Sequence, residues 1–164
     1  MSAKDASTQN RNFITIKDPH PAVMLSLNEI FKESMKKAHA GQQGLNLIMR
    51  CESLPLVKAQ RGEMETVFTT LIRLILQHPV TGSKRFLYID CEERIQKQQL
   101  QKDQKQYLIK FHTNGSTNDN WKEANRVSID KCEKILSAHH GSLTVNNIDH
   151  TGCLFCISLP GKFD

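Results

Sequence analysis

Cys153 and Cys156 stand in the stretch CLFC, with His150 three residues before them and His139 and His140 some way further upstream. Thiolates and imidazoles at such spacing are zinc donors, and a Cys-x-x-Cys pair can also exchange disulfides. The surrounding residues argue against both chemistries. The segment alternates as a strand, so residues three apart point to opposite faces and cannot chelate one ion together. A redox pair of this kind places its first cysteine at a helix N-terminus, and no second Cys pair exists to complete a four-thiolate site. The five cysteines, Cys51, Cys91, Cys132, Cys153 and Cys156, are odd in number and set mostly in apolar stretches. That pattern predicts reduced thiols in the core of a cytoplasmic protein, without a disulfide framework. No Cys–His motif for nucleophilic catalysis accompanies them. No metal ligands are assigned.

A chain of 164 residues, 38% hydrophobic and 24% charged, fits one globular domain with a sizeable core. Residues 1–12 are polar and read as a disordered tail, which leaves 13–164 as the domain. They hold no apolar run of a secretory signal, and no stretch approaches the roughly 20 apolar residues of a membrane span. The net charge of +5 raises the question of nucleic acid. The lysines are dispersed among glutamates, and one Trp and two Tyr offer few stacking platforms, so a solvated basic surface is the preferred reading. A salt-dependent shift assay would expose the alternative.

The elements that must position any site follow from periodicity. Residues 12–16 form a short strand candidate before the turn KDPHP. Helical spacing over residues 22–44 puts Leu27, Ile30, Phe31 and Met35 on one face. Residues 45–51 alternate as a strand. A second helix over 63–78 is apolar around much of its girth and should lie between other elements. Strands over 84–93 and 107–113 flank a polar stretch, 94–106, readable as a helical extension, a solvated hairpin or a contact surface. A third helix over 121–139 carries Val127, Ile129, Cys132, Ile135 and Leu136 as its buried stripe. Strands 142–148 and 152–159 close the chain as a hairpin. The order predicts an α+β fold, a two-layer sandwich with a mixed sheet covered on one face by three helices.

Four features of the tail, His139, Gly141, Gly152 and the pair Leu159-Pro160, together with LPLVKAQRGEMETVFTTLIRLILQHP, carry a resemblance. Over residues 22–160 the chain resembles the ATP-binding domain of sensor histidine kinases, the GHKL or Bergerat type. Glu63 stands for the acidic residue customary before the nucleotide-binding helix. Each match also has a structural account: Gly141 suits the positive φ of a helix end, Gly152 a hairpin turn, and Pro160 the end of an edge strand.

What the resemblance implies about chemistry is less well served. Working members use a helical Asn on Mg²⁺, an Asp on the adenine amino group, and two glycine-rich boxes where backbone approaches base and phosphates. Counted along this chain, Gln77 takes the place of the Asn, and Arg73 precedes it by four. Gln adds a methylene that Mg²⁺ geometry tolerates poorly, and Arg stays protonated and cannot ligate a metal. Thr113 replaces the Asp, Gly115 is kept, and Thr117 replaces the next glycine. In the second box Arg126 and Ser128 take the glycine positions.

The resemblance therefore implies a histidine-kinase ATPase shell with a degenerate pocket made of Gln77, Arg73, Thr113, Gly115, Thr117, Arg126 and Ser128. No catalytic residue and no cofactor is expected. The implied role is a pseudo-ATPase, a pseudokinase module of bacterial two-component type that works through protein contacts. Its partner would be a response regulator, a kinase or a sigma-factor system, with no membrane partner. A homodimer through the sheet edge or the first helix is compatible with the pattern. The alternative is a divergent serine or histidine protein kinase of the anti-sigma type, holding Mg-ATP through Gln77, Thr113 and Gly115.

Overall fold

The computed structural model describes residues 21–39, 46–77, 80, 84–97, 104–115, 120–148 and 152–161. Their order is β1 (Val23–Ser26), α1 (Leu27–His39), β2 (Leu47–Cys51), β3 (Leu56–Ala59), α2 (Arg61–Gln77), β4 (Arg85–Gln96), β5 (Gln104–Thr113), α3 (Trp121–Ala124), α4 (Arg126–Ala138), β6 (Ser142–Ile148) and β7 (Gly152–Gly161). Five strands form one sheet in the order β2-β4-β5-β7-β6, with β2 parallel to β4 and every other pair antiparallel. The expected mixed sheet and two-layer α+β class are present. The strand candidate at 12–16 lies outside the described residues.

The register explains the layers. Ile89, Phe111, Phe155 and Val145 face one another across four strands, and side chains two apart share a face. That face carries Leu87, Ile89, Ile109, Phe111, Cys153, Phe155, Ile157 and Leu159, all buried. The helices lay Leu27, Ile30, Phe31, Met64, Phe68, Leu71, Ile72, Ile75, Cys132 and Leu136 into the same core. Phe68 meets Phe111 edge-to-face at 5.7 Å between centroids, joining α2 to β5. The opposite face of the sheet is mixed, with Asp90, Glu92, Lys110 and His112 beside the exposed Ile48 and Phe86. Lys110 Nζ donates to Glu92 Oε2 there at 2.7 Å.

Three elements depart from the sequence expectation. Residues 23–26, read as part of the first helix, form β1, which pairs antiparallel with β3 in a separate two-stranded ribbon. Both strands are four residues long, too short for alternation to stand out against the helical pattern that follows. The third helix is broken at Asn125, whose backbone sits at φ −113°, ψ 16° between α3 and α4. Asn125 Nδ2 donates to Trp121 O at 3.0 Å, so its short amide satisfies the preceding turn locally.

Val127, expected in the buried stripe, is 84% exposed. At 100° per residue it lies about 200° from Ile129 and about 180° from Leu136, so it cannot share their face. The polar stretch 94–106 resolves in favour of a hairpin, since β4 runs to Gln96 and β5 starts at Gln104 in register.

Candidate functional site

Three segments supply the positions expected to hold a nucleotide: the end of α2, the turn after β5, and the start of α4. Each is positioned by interactions of its own. The last turn of α2 has no basic residue, and Arg85 from β4 supplies one, donating from Nη1 to Ile75 O at 2.7 Å. A cation at a helix C-terminus satisfies an orphan carbonyl and suits the dipole. Gln77, the last residue of α2, is exposed and makes no side-chain hydrogen bond among the described residues. Arg73 is exposed one turn earlier, on the side facing Lys131 of α4.

The turn after β5 is closed from inside. Thr113 is only 7% exposed, and its Oγ1 accepts the Gly115 N–H at 3.2 Å. Gly115 is bridged to Val80, which ties the turn to the segment after α2. Asn114 was not singled out from the sequence, yet it holds the neighbouring strand. Its Oδ1 accepts the Phe86 N–H at 2.9 Å and its Nδ2 donates to Lys84 O at 2.9 Å, mimicking a strand partner. Only the turn-forming type of Asn in TNGS could have signalled this. Gly152 presses on the same turn, for a Cβ there would meet Thr113 O at 2.6 Å.

At the start of α4 the glycine positions are occupied by side chains. Arg126 reaches back one turn to Glu123, with Nη2 to Oε1 at 2.8 Å and Nε to Oε2 at 3.4 Å. Ser128 is half-buried beside it. α3 leads into α4 with only Asn125 between, and the Asn125 N–H already bonds Trp121 O at 3.0 Å. Thr117 lies outside the described residues. The expected residues thus fall into clusters: Thr113 with Gly115 in one turn, Arg126 with Ser128 on one helix end, Arg73 and Gln77 along α2. Among the described residues no hydrogen bond or ion pair joins one cluster to another.

The far end of α4 is built more tightly than its start. The His140 N–H bonds Ser137 O at 3.0 Å and the Gly141 N–H bonds Leu136 O at 2.7 Å, the paired closure of a Schellman end. The positive φ this needs, 60°, belongs to His140 and not to Gly141 as expected. Gly141 is required for space instead, since a Cβ there would stand 2.1 Å from Ser158 O. His139 bridges elements: Nδ1 donates to Ile135 O at 2.8 Å, and Nε2 accepts the Gln60 N–H at 3.2 Å. A ring carrying its hydrogen on Nδ1 meets both bonds.

The cysteines separate as strand geometry requires. Cys153 is buried in the core and Cys156 is half-buried on the opposite side of the same strand. Burial pushes the Cys91, Cys132 and Cys153 thiols up to about 11, which makes them poor thiolates at neutral pH. Among the described residues no group of three His, Cys, Asp or Glu side chains is arranged to hold a metal ion. No helix among them is long and apolar enough to cross a membrane.

No family model and no curated protein matches the sequence. Solved structures match the fold. The catalytic domain of histidine kinase ThkA aligns at a TM-score of 0.64 and 18% identity, covering 85% of this chain and 95% of that one. The Acinetobacter baumannii histidine kinase AdeS gives 0.64 at 12% identity, with 87% and 68% covered. The cytoplasmic segment of histidine kinase QseC gives 0.59 at 10% identity, with 94% and 93% covered. At these identities the likeness is one of architecture, and it extends over most of the chain. Strand order, helix layer and matched structures agree: this chain has the fold of the catalytic ATPase domain of histidine kinases.

Proposed function

We propose that this protein is a pseudo-ATPase, a non-catalytic signalling module that keeps the histidine-kinase ATPase fold and acts through protein–protein contacts. One observation carries the reading. The residue that should accept the adenine amino group, Thr113, is turned inward and accepts a backbone N–H of its own turn. A carboxylate there would offer charge and several lone pairs to a ligand; this hydroxyl is uncharged, and one of its two lone pairs is already engaged.

The start of α4 supports the same reading. Side chains at Arg126 and Ser128 replace the bare backbone that phosphates approach, and the Arg126 guanidinium is engaged by Glu123. The partner would be a signalling protein such as a response regulator, a kinase or a member of a sigma-factor system. The β4–β5 hairpin extension and the filled cleft are the surfaces to test for it. Homodimerisation through the sheet edge or the first helix remains a separate proposal.

Calorimetric titration with Mg-ATP, paired with an assay for transfer of the γ-phosphate, tests the reading. The expected result is no heat specific to the nucleotide beyond that of orthophosphate, and no phosphorylated product. Saturable, Mg²⁺-dependent binding of ATP would replace this reading with that of a divergent kinase.

A further inference from the structure

The five-stranded sheet has two open edges among the described residues, β2 and β6, and they are guarded differently. β2 is five residues long and carries the exposed Arg50. β6 is seven residues long, SLTVNNI, with no charge and no proline, and it pairs with β7 throughout without a bulge. Along such a strand every second residue turns its N–H and C=O away from the one neighbour. Charges, prolines, bulges or short length keep an edge from pairing with another chain, and β6 has none of them.

The wall beside this edge has a property of its own. α4 packs over both β6 and β7, which sets it back from the open side. A groove of about 350 Å³ runs between α4 and β6, lined below by Ile129, Leu143 and Val145. Four charges line its helix wall, Lys122 from α3 and Arg126, Asp130 and Glu133 from α4. α4 ends at Ala138 and β6 begins at Ser142, so the strand returns antiparallel to the helix. The two carboxylates therefore lie beside the first half of β6, and the two cations beside its second half. Of these residues only Arg126 belongs to the expected nucleotide pocket. Glu123 engages its Nη2 and Nε, and further N–H groups of the guanidinium are left over.

A wall of this kind is complementary to a copy of itself turned end to end. A twofold axis through Val145, the middle of β6, lays two β6 strands antiparallel. Leu143 then stands opposite Asn147 of the second copy, and Thr144 opposite Asn146. The same axis sets the two helix walls antiparallel, so Lys122 and Arg126 of each copy meet Glu133 and Asp130 of the other. A strand from an unrelated protein would need both the open backbone and the matching order of charge. A second copy supplies both by symmetry.

We propose that β6 and the adjoining wall of α4 form an interface with a second copy of this chain, joining the two sheets edge to edge. Val145, half-buried in the single chain, is covered at the axis. This interface deepens the reading of a module that works through protein contacts, and rests on it. A monomeric chain would sink the interface and leave the nucleotide titration to decide the rest.

Sedimentation velocity of the whole chain, from micromolar to submillimolar concentration, reads the association. The expected result is a monomer–dimer equilibrium that weakens as salt rises, because exposed charge pairs are screened. Thr144→Lys/Asn146→Lys, at two exposed positions of β6, brings like charges together across the axis and should weaken the dimer by about tenfold or more. Ile48→Lys, exposed near the other sheet edge, should leave it unchanged. Lys122→Glu/Arg126→Glu and Asp130→Lys/Glu133→Lys each give the wall a single sign of charge, so each should associate poorly with itself. Mixed in equal amounts, the two variants should recover a dimer, which misfolded chains could not do. A wild-type chain that stays monomeric throughout would overturn the proposal. So would a dimer of equal strength in Thr144→Lys/Asn146→Lys, one broken by Ile48→Lys instead, or a mixture that fails to pair.

Discussion

His139 Nε2 accepts the backbone N–H of Gln60 at 3.2 Å, joining the end of α4 to the residue before α2 across 79 positions of sequence. The other ring nitrogen is fixed on Ile135 O at 2.8 Å, so the ring is held from both sides. This histidine works as a structural clamp between two helix ends.

His139→Ala should therefore lower stability by about 1–3 kcal/mol, the range for a lost hydrogen bond to a half-buried backbone donor. His139→Asn or His139→Gln, each with one amide oxygen, should recover part of the loss. Denaturant unfolding of the three variants with unchanged m-value checks this.

The neighbouring residues should respond in opposite directions. Gly141→Ala forces a Cβ to 2.1 Å from Ser158 O, so α4 or β7 must shift, and a cost above about 2 kcal/mol is expected. His140→Gly relieves a non-glycine residue at φ 60° and should stabilise by up to about 1 kcal/mol. Thermal midpoints of the pair, moving down and up respectively, are the measurement.

On the open face of the sheet, hydrogen bonds from Arg94 and then Lys110 hold the Glu92 carboxyl down to about 2. A depressed carboxylate contributes stability that is present above its ordinary range near 4.5 and lost as pH falls towards 2. Glu92→Gln should flatten that acid limb. Unfolding midpoints between pH 5 and about pH 2 for both proteins read the effect directly.

The thiols act at the other end of the scale. Burial raises Cys91, Cys132 and Cys153 from 9.0 to about 11, so the unfolded chain releases these protons first. Their contribution is whole below about pH 9 and is lost as pH rises towards 11. A thiol reagent at pH 8 should label Cys132 and Cys153 slowly in the folded protein and rapidly in denaturant.

Much of this architecture is legible in the residues. The alternation in YLIKFHT and CLFCISL and the broad apolar girth of α2 specify the sheet face and the helix that lies on it. What escapes is local. β1 and β3 are four residues each and are defined by pairing with one another, a long-range fact that no short window carries. Val127 looks apolar enough for the core, but its angular position excludes it, and only the break at Asn125 reveals where α4 begins. At the candidate site, residue types could be read while orientations could not. Thr113 differs from a ligand-binding residue because its hydroxyl points at Gly115, and Asn114 matters because its amide substitutes for a strand.

Thermal unfolding distinguishes a fold that persists without a working nucleotide site from one that still binds nucleotide. The midpoint is measured with millimolar Mg-ATP, with Mg-ADP, and with orthophosphate at equal ionic strength. A working site at 100 times its dissociation constant would add about 2.7 kcal/mol, several degrees for a domain of this size. Neither nucleotide should raise the midpoint beyond orthophosphate, with or without Mg²⁺. A Mg²⁺-dependent rise of several degrees with ATP or ADP, above that of orthophosphate, would contradict it.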